Sequence, residues 1–378
     1  MQLSDEDLLR LNVLLASPVT AIRLDDQDMT VRGLCGDQEA VIRLNPTGHP
    51  DQYLRCVREL LSGHVLGSPG GYPAFLQRWT RMGQARDARL AELLLLGEPE
   101  AVVAVAGAAG LTDELARRVW WILPTAEIAR CMLAREPVVS GSMGKVLAGH
   151  LVDYLPFETE PLAIIATVRL VLQPGLIDES TRRRIWDKGR SKNVYQLGFL
   201  ESAPDALPEE VPARGDFEQQ RGVLEPMAHA GNRFAALLCR VLGPQGQSFL
   251  AVSERILRRP ASQEAAICIM NVIGSYFRGQ VSLSDAPRDM DAARERARAR
   301  HAEANQENNS ELAELARSAS TLEREILAVL ALSYVSETLL NPIFSHTTAV
   351  GTVMARKMQP LVDPILDLYA VLRMTPGR

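Results

Sequence analysis

The sequence predicts a mainly α-helical protein, and three observations support that prediction. Apolar residues recur at helical spacing through most of the 378 residues. Proline and glycine interrupt this pattern repeatedly, so the predicted helices are short. A set of short strings in the middle of the chain occurs twice in the same order. Together these features favour helical-hairpin repeats of a HEAT-like or α-solenoid-like kind, followed by a C-terminal helical bundle.

The N-terminal segment, 1–48, contains the strongest β signal in the sequence. A short helix is predicted over 1–16, because Ser4 and Asp7 are spaced as a capping box. Between residues 19 and 44, apolar and polar residues alternate, and two turn-rich stretches at 25–28 and 35–37 divide the alternation. We therefore expect this segment to form a helix and a small antiparallel β meander.

The middle of the chain, residues 49–203, is interpreted as a helical repeat domain. Three strings recur there: 98–105 as 160–167, 110–114 as 175–179, and 117–120 as 183–186. The offset between the copies is nearly constant, so the order is kept and only short insertions in loops are required. A period of about 65 residues holds roughly four short helices, which bury their faces by stacking on neighbours. The pattern indicates an internal duplication.

The C-terminal half begins after a change in composition. Three prolines and several acidic residues in 204–215 indicate a linker, and 216–378 is predicted to be a C-terminal helical domain. Within it, residues 286–310 mix arginines with acids and have few large apolar side chains, which is typical of a solvated helix or a disordered connector. The apolar run 326–344 contains Glu337, and we expect a buried core helix rather than a membrane span.

Composition excludes several classes of function. The net charge of −5 gives no overall field that would favour nucleic acid or an anionic membrane. The N-terminus is acidic and has no signal-like segment, which predicts a cytoplasmic protein. Five cysteines without a C-x-x-C pair indicate neither a disulfide framework nor a zinc site. The six histidines are not spaced as metal ligands, so we expect no metal and no cofactor.

The best candidate site is a protein-binding surface. Arginine and tryptophan occur close together three times, in 78–81 and in the two Arg-Arg-x-Trp strings, and this combination is enriched at interface hot spots. The predicted partner-binding residues are Arg78, Trp79, Arg81, Arg117, Arg118, Arg183 and Arg184. No motif for nucleophilic catalysis occurs, which favours a non-enzymatic role.

Two alternatives to a protein-binding role stay open at this point. Cys35 lies in a glycine-flanked turn and is the candidate reactive thiol, although Asp37 beside it would oppose a thiolate. The basic residues between 182 and 192 make nucleic-acid binding conceivable, but few aromatic residues accompany them.

Residues of about 8 to 210 resemble the family of the sulfur reduction protein DsrS, which is encoded with dissimilatory sulfite reductase in sulfur-oxidising bacteria. The strings that carry the resemblance are 64–73, 78–84, 96–103, 110–114 and 171–179. The resemblance implies a cytoplasmic protein that is accessory to the sulfite reductase system in the oxidation of stored sulfur. It transfers no catalytic residue to this chain.

The sequence and the resemblance together lead to one main expectation. We expect a non-enzymatic accessory or regulatory scaffold that binds a protein of the sulfur oxidation pathway through the repeat surface. One alternative is a cysteine persulfide carrier or transferase that uses Cys35. The other is a nucleic-acid-binding regulator.

Overall fold

The computed structural model describes residues 2–73, 89–278, 287–306, 310–345 and 351–374. The described residues are 68% helical and include a three-stranded antiparallel sheet near the N-terminus, which confirms the predicted mainly α fold with a β meander. It divides into two compact units, which are described separately. Unit 1 consists of residues 1–156 and 173–177, and unit 2 of residues 157–172 and 178–378. The division therefore falls inside the segment interpreted as the repeat domain.

The N-terminal part of unit 1 is the meander packed between two helices. Its elements are α1 (Asp5–Ala16), β1 (Ala21–Asp25), β2 (Thr30–Cys35), β3 (Gln38–Arg43) and α2 (Pro50–Leu66). Strand β2 is central and pairs antiparallel with both neighbours, with Ala21 opposite Leu34 and Cys35 opposite Gln38. Alternating apolar side chains of the sheet and the inner faces of α1 and α2 form one buried core.

The predicted capping box at α1 forms in its first half, and a tyrosine from α2 replaces the second half. Ser4 Oγ accepts a hydrogen bond from the Asp7 amide at 3.2 Å. The buried Tyr53 hydroxyl accepts from the Ser4 amide at 3.0 Å and donates to Asp7 Oδ2 at 2.6 Å. The same carboxylate oxygen accepts from the Asn45 amide at 2.8 Å. Burial raises the pKa of Tyr53, and this network ties α1 to α2.

The rest of unit 1 is a series of short helices that contains the first repeat copy. These are α3 (Leu90–Leu93), α4 (Pro99–Ala106), α5 (Asp113–Ile122), α6 (Ala126–Met132), α7 (Glu136–Val139) and α8 (Ser142–Tyr154). The first copy comprises α4, α5 and α6. Proline at the first position of α4, and threonine caps before α5 and α6, fix where these helices begin.

Unit 2 contains the second repeat copy and all later helices. The second copy comprises α9 (Pro161–Val171), α10 (Glu179–Lys188) and α11 (Val194–Ser202), so its three helices follow the order of the first copy. Helices α9 and α11 cross closely at Gly198. A Cβ atom at this glycine would lie 2.6 Å from the Val168 Cβ, so the crossing requires glycine.

The C-terminal helices of unit 2 pack around an aromatic cluster. They are α12 (Phe217–His229), α13 (Arg233–Leu242), α14 (Pro244–Arg258), α15 (Gln263–Phe277), α16 (Met290–Gln306), α17 (Glu311–Ser318), α18 (Glu323–Leu332), α19 (Asn341–Phe344) and α20 (Gly351–Arg373). Phe249 stacks on Tyr276 at 3.6 Å, and the Tyr369 hydroxyl lies 3.0 Å from Ser253 Oγ. Burial raises the pKa of both tyrosines. The cluster joins α14, α15 and α20.

The stretch predicted as a linker, 204–215, contributes a buried arginine to unit 2. The Arg214 side chain is fully buried and lies 2.6 Å from Asp216 and 2.7 Å from Glu325 on α18. Its guanidinium also donates to the Val371 carbonyl at 3.4 Å. Breaking a buried ion pair of this kind by removing one partner costs about 3–5 kcal/mol. The stretch is therefore anchored rather than loosely attached.

The charge-rich stretch predicted as a solvated helix or connector contains α16. Residues 286 and 307–309 of that prediction lie outside the described part of the chain. Within α16, Ala293, Ala297 and Ala304 form a narrow buried face, and the helix packs against α18. Small side chains permit this close approach although the composition is polar. One face of the helix is therefore packed, which composition alone did not indicate.

In the ranges that the structure describes, no single helix is long and apolar enough to cross a membrane. The segments Ser320–Leu332 and Glu337–Phe344 reach that length and composition only as a pair, and the pair is bent by 76°.

Candidate functional site

The candidate site is built on α10, the second-copy helix that corresponds to α5. Both helices begin with a side-chain cap. Thr112 Oγ1 accepts from the Leu115 amide at 3.2 Å, and Asp178 Oδ1 accepts from the Thr181 amide at 2.7 Å. The backbone hydrogen bond from Thr181 lowers the pKa of Asp178. These caps align Asp178 with Thr112, and this alignment has the same offset as the Arg-Arg-x-Trp strings. The similarity of 110–114 to 175–179 instead aligned Asp178 with Asp113.

In the first copy, one glutamate accepts hydrogen bonds from both arginines of the motif. Glu114 accepts from Arg117 Nε at 2.9 Å and from Arg118 Nε at 2.9 Å. Arg117 also lies 3.7 Å from Asp37. The hydrogen bond from Arg117, with that from Arg118, lowers the pKa of Glu114 to about 2. These two predicted binding residues are therefore held in ion pairs within unit 1.

In the second copy, Ser180 occupies the position of Glu114, and the arginines are left without an acid. Ser180 donates its hydroxyl hydrogen to Asp178 Oδ1 at 3.0 Å, which places it within the cap. Arg183 and Arg184 are exposed. Across the described ranges, no carboxylate lies within ion-pair distance of either guanidinium. With Lys188, these arginines line a shallow depression that Ser180 and Asp187 also line, and we call the three basic residues the basic face.

The tryptophans of the two copies also differ in how far they are buried. Trp186 is 3% exposed and meets Phe199 edge-to-face at 5.0 Å, so it belongs to the core. Trp120 and Trp121 are half-buried. The guanidinium over Trp121 is that of Arg23, 5.1 Å from the ring, rather than that of Arg117 or Arg118. The predicted binding residues Arg78, Trp79 and Arg81 lie outside the described residues.

Beside the basic face, a groove of about 1060 Å³ opens in unit 2. It is bounded by the start of α9, the α10–α11 loop and the end of α14. Five basic and two acidic side chains line it: Arg183, Arg190, Lys192, Arg255 and Arg259 with Asp187 and Glu209. Arg255 pairs with Glu209 at 2.8 Å, and Arg190 lies 3.6 Å from Asp187. Positive charge is therefore in excess.

The floor of this groove holds two amide side chains with unused hydrogen-bonding groups. Asn193 Nδ2 donates to the Arg259 carbonyl at 2.7 Å, which joins the α10–α11 loop to the end of α14. The buried Oδ1 of Asn193 has no hydrogen-bond partner. Gln196 on α11 is 2% exposed, lines the groove and makes no side-chain hydrogen bond within the described ranges. Buried polar groups are normally paired, so Asn193 Oδ1 calls for a partner, whereas the Gln196 amide is open to the groove.

Gly189 allows Gln196 to reach the groove. A Cβ atom at Gly189 would lie 2.4 Å from Gln196 Cγ and 2.9 Å from the Trp186 carbonyl oxygen. The basic residues of this loop were recognised in the sequence, whereas Gln196, Asn193 and Arg259 were not predicted to belong to a site. No local pattern marks them, because Arg259 comes from the end of α14, which is distant from the loop along the chain.

None of the five cysteines lies in a site that is as well defined as the groove. Cys35 is half-buried at the end of β2, with its Sγ atom 3.6 Å from Ser17 Oγ. Burial raises the pKa of Cys268 and of Cys239, which disfavours their thiolates. A persulfide on Cys35 stays a prediction. Among the described residues, no three His, Cys, Asp or Glu side chains form a group that could hold a metal ion.

The chain was compared with protein-family models, curated proteins and solved structures. No family model, no curated protein and no solved structure matches the chain.

Proposed function

We propose that this protein is a non-enzymatic accessory or regulatory scaffold that binds an acidic surface of a protein partner through the basic face. One observation carries the proposal: Arg183, Arg184 and Lys188 project from one helix without ion-pair partners among the described residues. Exposed guanidinium groups attract carboxylates over several ångströms and pair with them in a bidentate manner. In the first copy, Glu114 already satisfies the equivalent arginines.

The resemblance described above supports the biological setting of the proposal. Under it, the partner is a cytoplasmic protein of bacterial dissimilatory sulfur oxidation, and this chain is accessory to the sulfite reductase system. The predicted surface also included Arg117 and Arg118. We place the contact on the second copy instead, because Glu114 and Asp37 together offset the charge of the two arginines of the first.

The decisive experiment installs the acid of the first copy in the second. Ser180→Glu places a carboxylate three and four residues before Arg183 and Arg184, which is the spacing that Glu114 has to its arginines. Capture from cells grown on reduced sulfur should identify the partner. With that purified partner, we expect Ser180→Glu to weaken binding by roughly tenfold or more, since buried interfacial charge pairs are worth a few kcal/mol.

The matched control is Ser180→Gln, which adds the same bulk without charge and should leave binding close to that of the wild type. Glu114→Ser should not weaken binding either. Equal binding by Ser180→Glu and wild type would refute the basic face as the contact. If the captured partner is nucleic acid, with affinity that falls steeply as salt rises, the protein-binding proposal is replaced by a regulator of nucleic acid.

A further inference from the structure

We propose that the groove beside the basic face binds a small organic phosphate monoester. This goes beyond the proposed function, because the groove is lined by Lys192, Arg259 and Gln196, whereas Arg184 and Lys188 of the basic face lie outside it. Arg183 and Asp187 line both the groove and the depression of the basic face. The groove volume of about 1060 Å³ is at the upper end of the range of small-molecule sites.

The charge of the groove matches a dianion. Two of its basic side chains are already paired, Arg255 with Glu209 and Arg190 with Asp187. Within the described part of the chain, Arg183, Lys192 and Arg259 have no ion-pair partner. A phosphate monoester carries about 1.5 to 2 negative charges at neutral pH, and guanidinium groups bind its oxygens in pairs. The unpaired cations therefore suit a phosphate group better than a monoanion.

The groove contains two amide side chains, Gln196 and Asn193, that can hydrogen-bond to a ligand. Gln196 is 2% exposed and has no side-chain partner within the described ranges, although it lines the groove. Asn193 Oδ1 is buried and unpartnered, while its own Nδ2 is held by the Arg259 carbonyl. The Gln196 amide can donate to a phosphate oxygen, and Asn193 Oδ1 can accept from a ligand hydroxyl or amine. Asn193 Oδ1 is the buried atom that a ligand donor would satisfy, because an unpaired buried acceptor is unfavourable.

The remaining wall is apolar and suits the organic part of the ligand. Pro161 and Ile164 come from the start of α9, Val194 from the start of α11, and Pro208 and Ala261 from the segments beside them. A free phosphate ion would leave this wall in contact with water. An attached ring or short chain would cover it, and burial of apolar area is favourable at about 25 cal/mol per Å². The ligand class is therefore an organic phosphate rather than inorganic phosphate.

Calorimetric titration of the full chain with phenyl phosphate tests the proposal. We expect phenyl phosphate to bind with one-to-one stoichiometry, about tenfold more tightly than inorganic phosphate, and benzyl alcohol to show no binding. Lys192→Ala combined with Arg259→Ala should weaken phenyl phosphate binding by at least roughly tenfold. Both side chains are exposed, so the folded state should be retained, and thermal unfolding checks this.

Two further variants separate the groove from the basic face. Gln196→Met keeps the shape of the side chain but removes the amide, and it should weaken phenyl phosphate binding several-fold with little change in thermal unfolding. Arg184→Ala combined with Lys188→Ala should leave phenyl phosphate binding unchanged. Equal affinity of wild type and the Lys192/Arg259 double variant would overturn the proposal, as would loss of phenyl phosphate binding only in the Arg184/Lys188 variant. Neither result would bear on the protein partner.

Discussion

Helices α5 and α10 carry the same Arg-Arg-x-Trp string, and the two copies use it differently. In α5, Glu114 holds both arginines, and Trp120 is only half-buried. In α10, a serine stands at that position, the arginines are exposed, and Trp186 is part of the core. This difference shows that the Arg-Arg-x-Trp string does not by itself define a charged surface. The residue one turn before it decides whether the arginines are satisfied internally or available to a partner.

The largest expected difference between the copies concerns their tryptophans. Trp186→Ala should destabilise unit 2 by about 3–5 kcal/mol, because it leaves a cavity beside Phe199. Trp120→Ala should cost less, about 1–2 kcal/mol, since part of its area is already in water. Hydrogen exchange followed by mass spectrometry resolves the two units, and peptides of α10 and α11 should lose more protection than those of α5 and α6. Similar losses in both variants would show that the copies do not differ in this way.

The caps provide a smaller contrast that depends on pH. Thr112→Ala should cost about 1 kcal/mol at any pH, because the hydroxyl does not titrate. Asp178→Ala should destabilise at neutral pH only. The pKa of Asp178 is lowered in the folded state, so its contribution is present above its ordinary pKa and is lost as the pH falls through the lowered one. Urea unfolding from neutral pH to below about pH 4 measures both, and a pH-independent effect of Asp178→Ala would contradict the prediction.

The smallest expected effect concerns the ion pairs of Glu114. Its side chain is 51% exposed, so Glu114→Gln should cost only about 0.2–1 kcal/mol and less in high salt. The lowered pKa of about 2 means that this contribution is present above the usual glutamate pKa and disappears between there and pH 2. An NMR titration of the carboxyl carbon measures the pKa directly. The carboxyl introduced by Ser180→Glu should show a similar lowering, and an ordinary pKa there would mean that α10 cannot reproduce the pairing.

Much of the fold was predictable, because its signals are local. The alternation between residues 19 and 44 predicted the meander, and the spacing of Ser4 and Asp7 predicted where α1 begins. Other features depend on distant partners. On α1, Leu8 follows the same helical spacing as Leu11 and Leu15, yet Leu8 is 38% exposed while the other two are buried. The role of Asp7 in binding Tyr53 could not be inferred either, since 46 residues separate them.

The candidate site was predictable only in its charged part. The cluster of arginines around residue 183 was visible in the sequence, but whether each arginine had an acid partner depended on helix register. String similarity before the motif suggested an alignment that differs by one residue from the one that the caps show. That single residue places Ser180 rather than Glu179 opposite Glu114. The amide groups of Asn193 and Gln196 had no sequence signal, because amides in helices usually lie in water.

The buried guanidinium of Arg214 bears on how the gene can be divided. The proline-containing stretch 204–215 is where one would choose to separate the repeat from the C-terminal helices for expression as fragments. Cutting there would remove the donor that Glu325 and the Val371 carbonyl share, and would leave a carboxylate in the interior without its counter-charge. A C-terminal fragment should therefore begin before Arg214 rather than after it. The apparent boundary in the sequence therefore lies within unit 2 and contributes to its interior.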